Sequence, residues 1–228
     1  MCDQAFLALM LDAPLQSWGF ASRFQRRTTA LHPTRSGILG MVCAALGVAR
    51  GSDAEKEWLA RLESVRLTVL SIKRRPEGCR PPLDILRMED YHTVSGTRRA
   101  SGAISNDAVI SHRQYLLDAK FGVILAGPRS TLEPVAEAMR NPRWGVWFGR
   151  KSCLPAAPIL RGGVIATLEK AFAALGLDGR NPDEFSRVEE ASSFADGTDT
   201  VMDAPVNFLT REFKPRRICR RPAQLTEG

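Results

Sequence analysis

Arginine side chains gather in three polar segments of the sequence, and their chemistry suits phosphate. The first segment holds Arg23, Arg26 and Arg27, shortly after the first apolar run. The second lies within residues 73–113, and the third is Arg150-Lys151-Ser152. A guanidinium group is always charged, and its planar fork of donors matches a phosphate group. We predict contacts with a nucleic-acid backbone in these segments; a merely solvated loop is the alternative for the first.

A further candidate anion site is the segment Pro33-Thr34-Arg35-Ser36-Gly37, which leads from a loop into a predicted helix. Free backbone N–H groups at a helix start, together with the helix dipole, favour a bound anion. Arg35 and Ser36 would add side-chain donors. Simple capping of the helix by Thr34 or Ser36 is the alternative.

Tryptophans offer a second kind of contact with nucleic acid. Trp18, beside Gln16, could stack on a base, and each such contact contributes about 1–3 kcal/mol. A core tryptophan that closes the end of a strand is an equally good interpretation. For Trp144, Trp147 and Phe148 we favour a core or a subunit interface over base stacking.

RNA cleavage by histidines of the segment 73–112 is the competing interpretation. His92 beside Tyr91, or His112 near Lys120, could act as acid and base in metal-free RNA cleavage, in which a 2′-hydroxyl attacks its own phosphate. The chain has 3 histidines, and none stands at a spacing that demands catalysis. Hydrogen bonding within a polar hairpin is the favoured interpretation of His92 and His112.

The charge of the chain is large and unevenly distributed. Lys and Arg number 32 against 25 Asp and Glu, which gives a net charge of +7, and arginine makes up most of the basic excess. Residues 168–203 are strongly acidic, whereas the flanking segments are basic. This segregation predicts one positive groove and a separate acidic element, which we expect to face a basic partner rather than RNA. One solvated acidic loop, with an arginine count set by codon bias, is the alternative.

The cysteines and the apolar runs indicate a cytoplasmic protein. The 5 cysteines are odd in number, widely spread and free of CxxC pairs, which disfavours a disulfide framework and a zinc site. The apolar run 5–11 is too short for a membrane span and follows no basic segment, so we expect no signal peptide and no membrane partner. We expect no metal and no nucleotide cofactor.

Strands and helices alternate along the chain and must position these side chains. The long segment 73–112 is poor in large apolar residues and predicts an extended, protruding hairpin. Residues 141–158 look irregular, and 178–203 look loop-rich. The remaining predicted elements are strands 4–11, 65–72, 115–117, 121–126 and 206–213, and helices from Thr34 or Ser36 to about 48, 55–62, 131–140 capped by Thr131, and 166–175. Their order is that of a split βαβ unit.

Five short segments carry more specific information. The first two are LDAPLQSWG at 11–19 and PTRSGILG at 33–40. The others are DYHTV at 90–94, RQYL at 113–116 and GRKSC at 149–153. In this order and spacing they resemble the CasD family, which holds the five-prime end of CRISPR guide RNA in type I-E Cascade complexes. The resemblance runs to about Pro155, and residues 168–228 match only loosely.

The resemblance implies a fold and a function. The fold would be α+β: a single ferredoxin-like (RRM-like, RAMP) domain over residues 1–228, with a long β-hairpin thumb at about 73–112 that reaches across guide RNA. The function would be that of a non-catalytic RNA-binding subunit in antiviral defence. It would cap the five-prime handle of the guide, contact the backbone subunit CasC and the large subunit CasA, and meet target DNA through the complex.

The predicted RNA-binding residues combine these motifs with the arginine segments. No catalytic residue is assigned. Two alternatives stay open: a metal-independent CRISPR repeat endoribonuclease, as in type I-C relatives, and a general single-stranded RNA-binding protein. The predicted RNA-binding set is Gln16, Trp18, Arg23, Arg26, Arg27, Arg35, Ser36, Arg74, His92, Arg98, Arg99, Arg113, Arg150, Lys151 and Ser152.

Overall fold

Strands dominate the structure, a computed structural model that describes residues 3–20, 25–74, 85–98, 101–105 and 107–224. The strands are β1 (Gln4–Asp12), β2 (Leu15–Gln16), β3 (Arg26–Arg27), β4 (Arg66–Ser71), β5 (Leu86–Val94), β6 (Val109–Leu117), β7 (Lys120–Pro128), β8 (Leu160–Ile165), β9 (Arg187–Glu190), β10 (Asp199–Asn207) and β11 (Glu212–Arg221). The α-helices are α1 (Arg35–Leu46), α2 (Asp53–Glu63), α3 (Arg129–Arg140) and α4 (Leu168–Ala174), and a 3-10 turn spans Pro182–Glu184.

The strands form two sheets. In the described part of the chain, the main sheet has 7 strands in the order β10-β11-β9-β4-β7-β1-β8, and the pairings are antiparallel. In the smaller sheet, β6 pairs antiparallel with β2 and β5 and parallel with β3. Helices α1 and α2 precede β4, and α3 connects β7 to β8. The mixed helix-and-strand fold with antiparallel sheets confirms the α+β class.

The first apolar run forms β1, which is buried on both faces. Leu7, Leu9 and Leu11 pack in the larger core cluster, which also includes side chains of α1 and α3. Ala8 and Met10 point to the opposite face and pack with α4. Because successive residues of a strand face opposite ways, a central strand covered on both sides needs a continuous apolar run.

Helix α1 begins as its sequence predicts and ends at a glycine. Thr34 is its N-cap, and the Thr34 hydroxyl accepts a hydrogen bond from the backbone N–H of Gly37. Gly47 ends it with a φ of 73°, a left-handed conformation that glycine adopts without strain. The helix therefore stops two residues before the predicted end.

Helix α3 begins differently from the prediction. It starts at Arg129, directly after Pro128, and no side chain caps it. Thr131 lies inside the first turn and is 6% exposed, so its predicted role as the cap is wrong. Pro128 has a ψ of 134°, which ends β7 in an extended conformation, and the helix starts at the next residue.

The segment predicted as a protruding hairpin contains strand β5 and the first residues of its partner β6, which continues beyond the predicted end. Their register runs from Leu86 opposite Leu117 to Val94 opposite Val109. Most residues of β5 are exposed, whereas Tyr115 and Leu116 at the start of the hairpin are buried. Residues 75–84, 99–100 and 106, which the prediction also covered, lie outside the described part.

The region after α4 is more regular than predicted. The supposed loop-rich acidic stretch contains β9 and most of β10. The predicted strand 206–213 is wrong, because those residues form the connection between β10 and β11 and the ends of both strands. Among the described residues, no helix is long and apolar enough to cross a membrane.

Candidate nucleic-acid interface

Cations from three distant segments meet beside strand β6. Strand β3 pairs parallel with β6, which sets Arg26 opposite His112 and Arg27 opposite Arg113. Arg26 and Arg27 are exposed, and Arg113 is half-buried. The third segment reaches the same place through Arg150. The structure therefore brings together members of all three predicted arginine segments.

Arg150 joins these segments through its own hydrogen bonds. Its guanidinium donates to the backbone oxygen of Gln114 at 2.7 Å and to that of Arg27 at 2.8 Å. Its central carbon lies 4.5 Å from the ring centroid of Tyr115, a cation–π distance. Because a guanidinium has five N–H donors, several remain for an incoming anion.

The loop that carries Arg150 is held against the chain after β1. The backbone N–H of Ser17 donates to the carbonyl oxygen of Phe148 at 3.0 Å. Gly149 has a φ of 95°, and a Cβ atom there would lie 1.6 Å from the Ser17 oxygen. Only glycine fits this approach, which explains why GRKSC begins with that residue.

Gln16 and Trp18 are internal rather than exposed to a ligand. Trp18 is 1% exposed, its indole N–H donates to the Gln16 side chain at 3.1 Å, and its ring stacks on Phe148 with centroids 6.0 Å apart. The Gln16 amide donates to the carbonyls of Leu11 and Ala119. Base stacking by Trp18 is therefore excluded by burial, and both residues leave the predicted RNA-binding set.

Arg35 is also buried, at 6% exposure, in an ion network inside the protein. Its guanidinium donates to Glu190 at 2.6 Å and to the carbonyls of Leu62 and Val65. The backbone N–H of Arg35, at the start of α1, donates to Asp203 at 2.8 Å. A carboxylate of the chain itself thus occupies the predicted anion site, and Arg35 leaves the RNA-binding set.

The other members of that set are spread more widely. Ser36 is half-buried and its hydroxyl lies 3.3 Å from that of Thr34, whereas Lys151 and Ser152 are exposed beside Arg150. Arg74 is paired with Asp12 and donates to the carbonyl of Asp118.

Three further arginines belong to the predicted set. Arg98 is exposed, and its backbone bridges to Ile104 beyond the paired part of the β5–β6 hairpin. Arg23 and Arg99 lie outside the described residues. The structure therefore leaves Arg74 and Arg98 apart from the cations that meet beside β6.

The histidines of the hairpin have carboxylate partners. The His112 ring lies 3.0 Å from Glu89 and makes an edge contact with Tyr91, whose ring centroid is 5.5 Å away. Hydrogen bonds from Gln114 and then His112 hold the pKa of Glu89 below its ordinary value. His92 is exposed, 3.4 Å from Asp90.

Lys120 does not join His112, contrary to the arrangement that the cleavage hypothesis assumed. It lies 4.0 Å from Asp12, at the start of β7. Within the described ranges, no group of three or more His, Cys, Asp or Glu residues could hold a metal ion.

The acidic region neutralises arginines of the last strand. Glu189 pairs with Arg221, Asp199 with Arg220, and Arg216 with both Asp203 and Glu190. The acidic stretch is therefore not a separate acidic element turned toward a basic partner. The chain folds it onto its own basic tail, because β9 and β10 both pair with β11.

The cations beside β6, by contrast, lack carboxylate partners among the described residues. None of the following makes an ion pair with a carboxylate that the structure describes: Arg27, Arg113, Arg150 and Lys151. We name these four residues the β6 cation cluster. Arg26 points to the opposite face of β3, where its charge acts on Glu89. The positive charge of the cluster is available for an anion, whereas Arg216, Arg220 and Arg221 of the last strand are already paired with carboxylates.

The interface contains one contributor whose role the sequence did not reveal. Tyr115 was part of the RQYL motif, but nothing in the motif indicates that its ring supports Arg150. The contact joins residues 35 positions apart, on β6 and on the loop that follows α3. The sequence does contain both motifs, RQYL and GRKSC. Their presence does not indicate that Tyr115 and Arg150 touch.

The fold and this surface together define a class of protein. It is an α+β domain with a main sheet and a smaller sheet. Cations of the smaller sheet and of an adjoining loop lie side by side, without carboxylate partners among the described residues. The family model described as "CRISPR-associated protein (Cas_Cas5)" matches residues 6–219. The chain belongs to this Cas5 family of CRISPR-associated proteins.

Similar proteins support the assignment over nearly the whole chain. "CRISPR system Cascade subunit CasD" of Escherichia coli (strain K12) is 31% identical over 217 residues, which cover 93% of this chain and 94% of the relative. A chain of a solved "CRISPR RNA-guided surveillance complex" matches with a TM-score of 0.74 and 25% identity, covering 96% of this chain and 90% of that one. A structure described as "Crystal structure of Cas protein" matches with a TM-score of 0.62 and 28% identity, covering 96% and 98%. The resemblance noted in the sequence is confirmed.

Proposed function

We propose that the chain is a non-catalytic, RNA-binding subunit of a type I-E Cascade surveillance complex in the cytoplasm. The similarity to a CasD subunit of Cascade supports membership of such a complex. The observation that carries the RNA-binding role is the β6 cation cluster, four cations of β3, β6 and the adjoining loop without carboxylate partners among the described residues. In this role the chain caps the five-prime handle of the guide RNA.

The mechanism is positional. Phosphates of the handle contact the β6 cation cluster, and Arg150, already fixed by two carbonyls and a tyrosine ring, offers its remaining donors in a defined direction. Phosphate contacts of this kind set the path of a strand without reading its sequence. Bases that splay from a single strand are then read by pockets in the protein.

The finer assignment of the fold belongs to the same proposal. Strands β4, β7, β1 and β8 are neighbours in that order, with helices between β1 and β4 and between β7 and β8. This order supports a ferredoxin-like core. The exposed β5–β6 hairpin is the thumb, which separates the handle from the spacer and reaches the backbone subunit CasC. The large subunit CasA binds the same end of the complex, and target DNA is met through the assembled particle.

Competition separates this function from general RNA binding. Purified protein is bound to a labelled guide RNA that carries its repeat-derived handle, and unlabelled competitors are added. A handle-specific protein releases the label to intact handle RNA at a much lower concentration than to RNA of scrambled sequence. Equal competition by both RNAs would assign the chain to general single-stranded RNA binding.

RNA cleavage is a second candidate function, and one observation favours it. Tyr91, His112 and Glu89 form a contact group on the exposed hairpin, and an imidazole beside a carboxylate and a phenol resembles an acid–base site. Labelled repeat RNA is incubated with the protein in EDTA. We expect no specific product; a defined cut that disappears in His112→Ala but not in His92→Ala would establish an endoribonuclease.

A further inference from the structure

A slot of about 280 Å³ lies between helix α1 and the loop 144–149. We name it the tryptophan slot. On the helix side it is lined by small residues, Gly37, Gly40 and Ala44, so the helix backbone is open to a flat ligand. On the other sides, its large walls are Trp144, Trp147 and Phe208. The volume is just below the ~300–1,000 Å³ of small-molecule sites, which suits a single planar group.

The walls of the slot are held in place by backbone contacts. The N–H groups of Arg143 and Trp144 donate to the carbonyls of Ala45 and Ala44, at the C-terminal end of α1. A Cβ atom at Gly145 would lie 3.1 Å from the Trp147 ring, so the backbone passes close to that indole. Trp144 is nevertheless 44% exposed. A large aromatic ring is thus presented to solvent at the mouth of a preformed slot.

The charge around the slot is positive. Arg50 lines it, and the ammonium of Lys151 lies 5.8 Å from the ring centroid of Trp147. Neither cation pairs with a carboxylate in the part of the chain that the structure describes. Glu55 also lines the slot, but it is 2% exposed and accepts hydrogen bonds from the backbone N–H groups of Gly51 and Phe208. Its carboxylate therefore has partners inside the protein.

The slot adjoins the β6 cation cluster. Arg150 and Lys151 are consecutive, yet Arg150 packs on Tyr115 of β6 and Lys151 on Trp147 of the slot. An RNA strand bound along the cluster would therefore also reach the mouth of the slot, because the cluster residue Lys151 already contacts a wall of the slot. Aromatic faces next to cations are the usual means of holding single-stranded nucleic acid.

We propose that the tryptophan slot holds one splayed base of the bound single-stranded RNA. The base stacks on Trp144, and the flanking phosphates contact Arg50 and Lys151. The proposal rests on the RNA-binding function proposed above and names the part of the surface that takes a base. An apolar side chain of a partner protein would fill the walls but leave Arg50 and Lys151 without an anion, whereas a nucleotide supplies both a flat ring and phosphates, which favours RNA as the occupant.

Abasic substitution tests the slot directly. The full chain is titrated with synthetic guide RNAs that each carry one abasic residue, moved through every handle position in turn. We expect one position at which loss of the base weakens binding by about 5- to 150-fold, the range measured for base–aromatic stacking. In Trp144→Ala the same substitution should change the affinity by less than about twofold, because the stacking partner is already gone. Trp58→Phe, on helix α2, is the control and should keep the full effect.

A second variant fills the slot without harming the helix. A Cβ atom at Gly40 would meet only the Phe208 ring, at 3.8 Å, and leucine favours a helix more than glycine does. Gly40→Leu should therefore keep the thermal unfolding midpoint of the unmodified protein and lose the position-specific effect. This variant keeps the test valid if Trp144→Ala fails to fold.

The outcomes separate the slot from the function on which it rests. If intact handle RNA does not bind the unmodified chain, the proposed RNA-binding function fails and the slot assignment fails with it. If it binds with normal salt dependence, but no abasic position depends on Trp144, only the slot assignment is overturned. Loss of assembly with other subunits in Gly40→Leu, with unchanged RNA affinity, would overturn it in favour of a protein-docking site.

Discussion

The guanidinium carbon of Arg150 lies 4.5 Å from the ring centroid of Tyr115, while its nitrogens donate to the carbonyls of Gln114 and Arg27. One side chain therefore links the loop after α3, strand β6 and strand β3. Replacing Arg150 would remove a charge and loosen the surface at the same time. The charge of the interface is better tested at Arg27 and Lys151, whose side chains are exposed.

Removal of both charges should lower the affinity for guide RNA and flatten its salt dependence. In Arg27→Ala combined with Lys151→Ala, we expect the slope of log affinity against log salt to fall by about 0.7 for each phosphate that the protein no longer neutralises. Fluorescence anisotropy at several salt concentrations measures the slope. Arg66→Ala, an exposed arginine in β4, is the matched control. An unchanged slope in the double variant would exclude the β6 cation cluster from RNA binding.

Arg35 should matter for stability rather than for RNA. Arg35→Met keeps the apolar stem but leaves the carbonyls of Leu62 and Val65 without their donor and weakens the pairing of Glu190. We expect the free energy of unfolding to fall by on the order of 3 kcal/mol, as when one partner of a buried ion pair is removed. Urea denaturation measures this change.

The control for Arg35 is Lys56→Met, which removes an exposed ion pair with Asp53 and should change stability by less than about 1 kcal/mol. In the folded Arg35→Met variant, the slope of log RNA affinity against log salt should equal that of the unmodified protein. Full stability together with a reduced slope would return Arg35 to the RNA-binding surface.

Gly149→Ala should disturb the interface through the backbone. A Cβ atom there would collide with the Ser17 oxygen, so the loop carrying Arg150 must move away from the chain after β1. We expect a lower unfolding midpoint and weaker RNA binding. Gly162→Ala provides the comparison, because Gly162 also has a positive φ, 77°, but no atoms crowd it. Equal effects of the two substitutions would show that backbone strain alone, and not the contact with Ser17, is responsible.

Acid should destabilise the fold through His32. Burial is the main cause that lowers the pKa of His32 below 6.5, and the nearby Arg220 lowers it further. Near pH 6.5, His32 therefore takes up a proton in the unfolded chain but not in the folded chain. As the pH falls below that value, the free energy of unfolding declines. In His32→Asn, the free energy of unfolding should decline less between pH 7 and pH 5. His92→Asn, at an exposed site, is the control and should decline like the unmodified protein; identical slopes in all three proteins would exclude His32 as the cause.

Local patterns predicted the parts of the fold that depend on neighbouring residues. The apolar run became β1, and the spacing of apolar residues after Thr34 became α1 with Thr34 as its cap. Both outcomes follow from short-range rules, since a buried strand needs a continuous apolar run and a helix start needs a side-chain acceptor. The arginines of β3 and of the loop at 150–151 were likewise recognisable from composition and motif.

Contacts between distant residues decided where the sequence interpretation failed. Arg35 looked like a phosphate ligand at a helix start, but Glu190 and Asp203, more than 150 positions later, take up its charge and its backbone N–H. Trp18 looked suited to stacking, yet Phe148 and Gln16 enclose it. No local pattern contains these partners, because the pairing of β9, β10 and β11 creates the first set and the loop after α3 supplies Phe148.

The order of strands in the main sheet also constrains when the protein can finish folding during its synthesis. Strand β11 lies between β9 and β10, although both of those strands leave the ribosome before it does. Strand β10 can therefore join the sheet only after β11 has emerged and inserted beside β9. Until then Arg216 is missing, and Asp203 and Glu190 lack the arginine that pairs with both of them. The nascent chain thus carries carboxylates on β9 and β10 that gain an arginine partner only when the last strand is inserted.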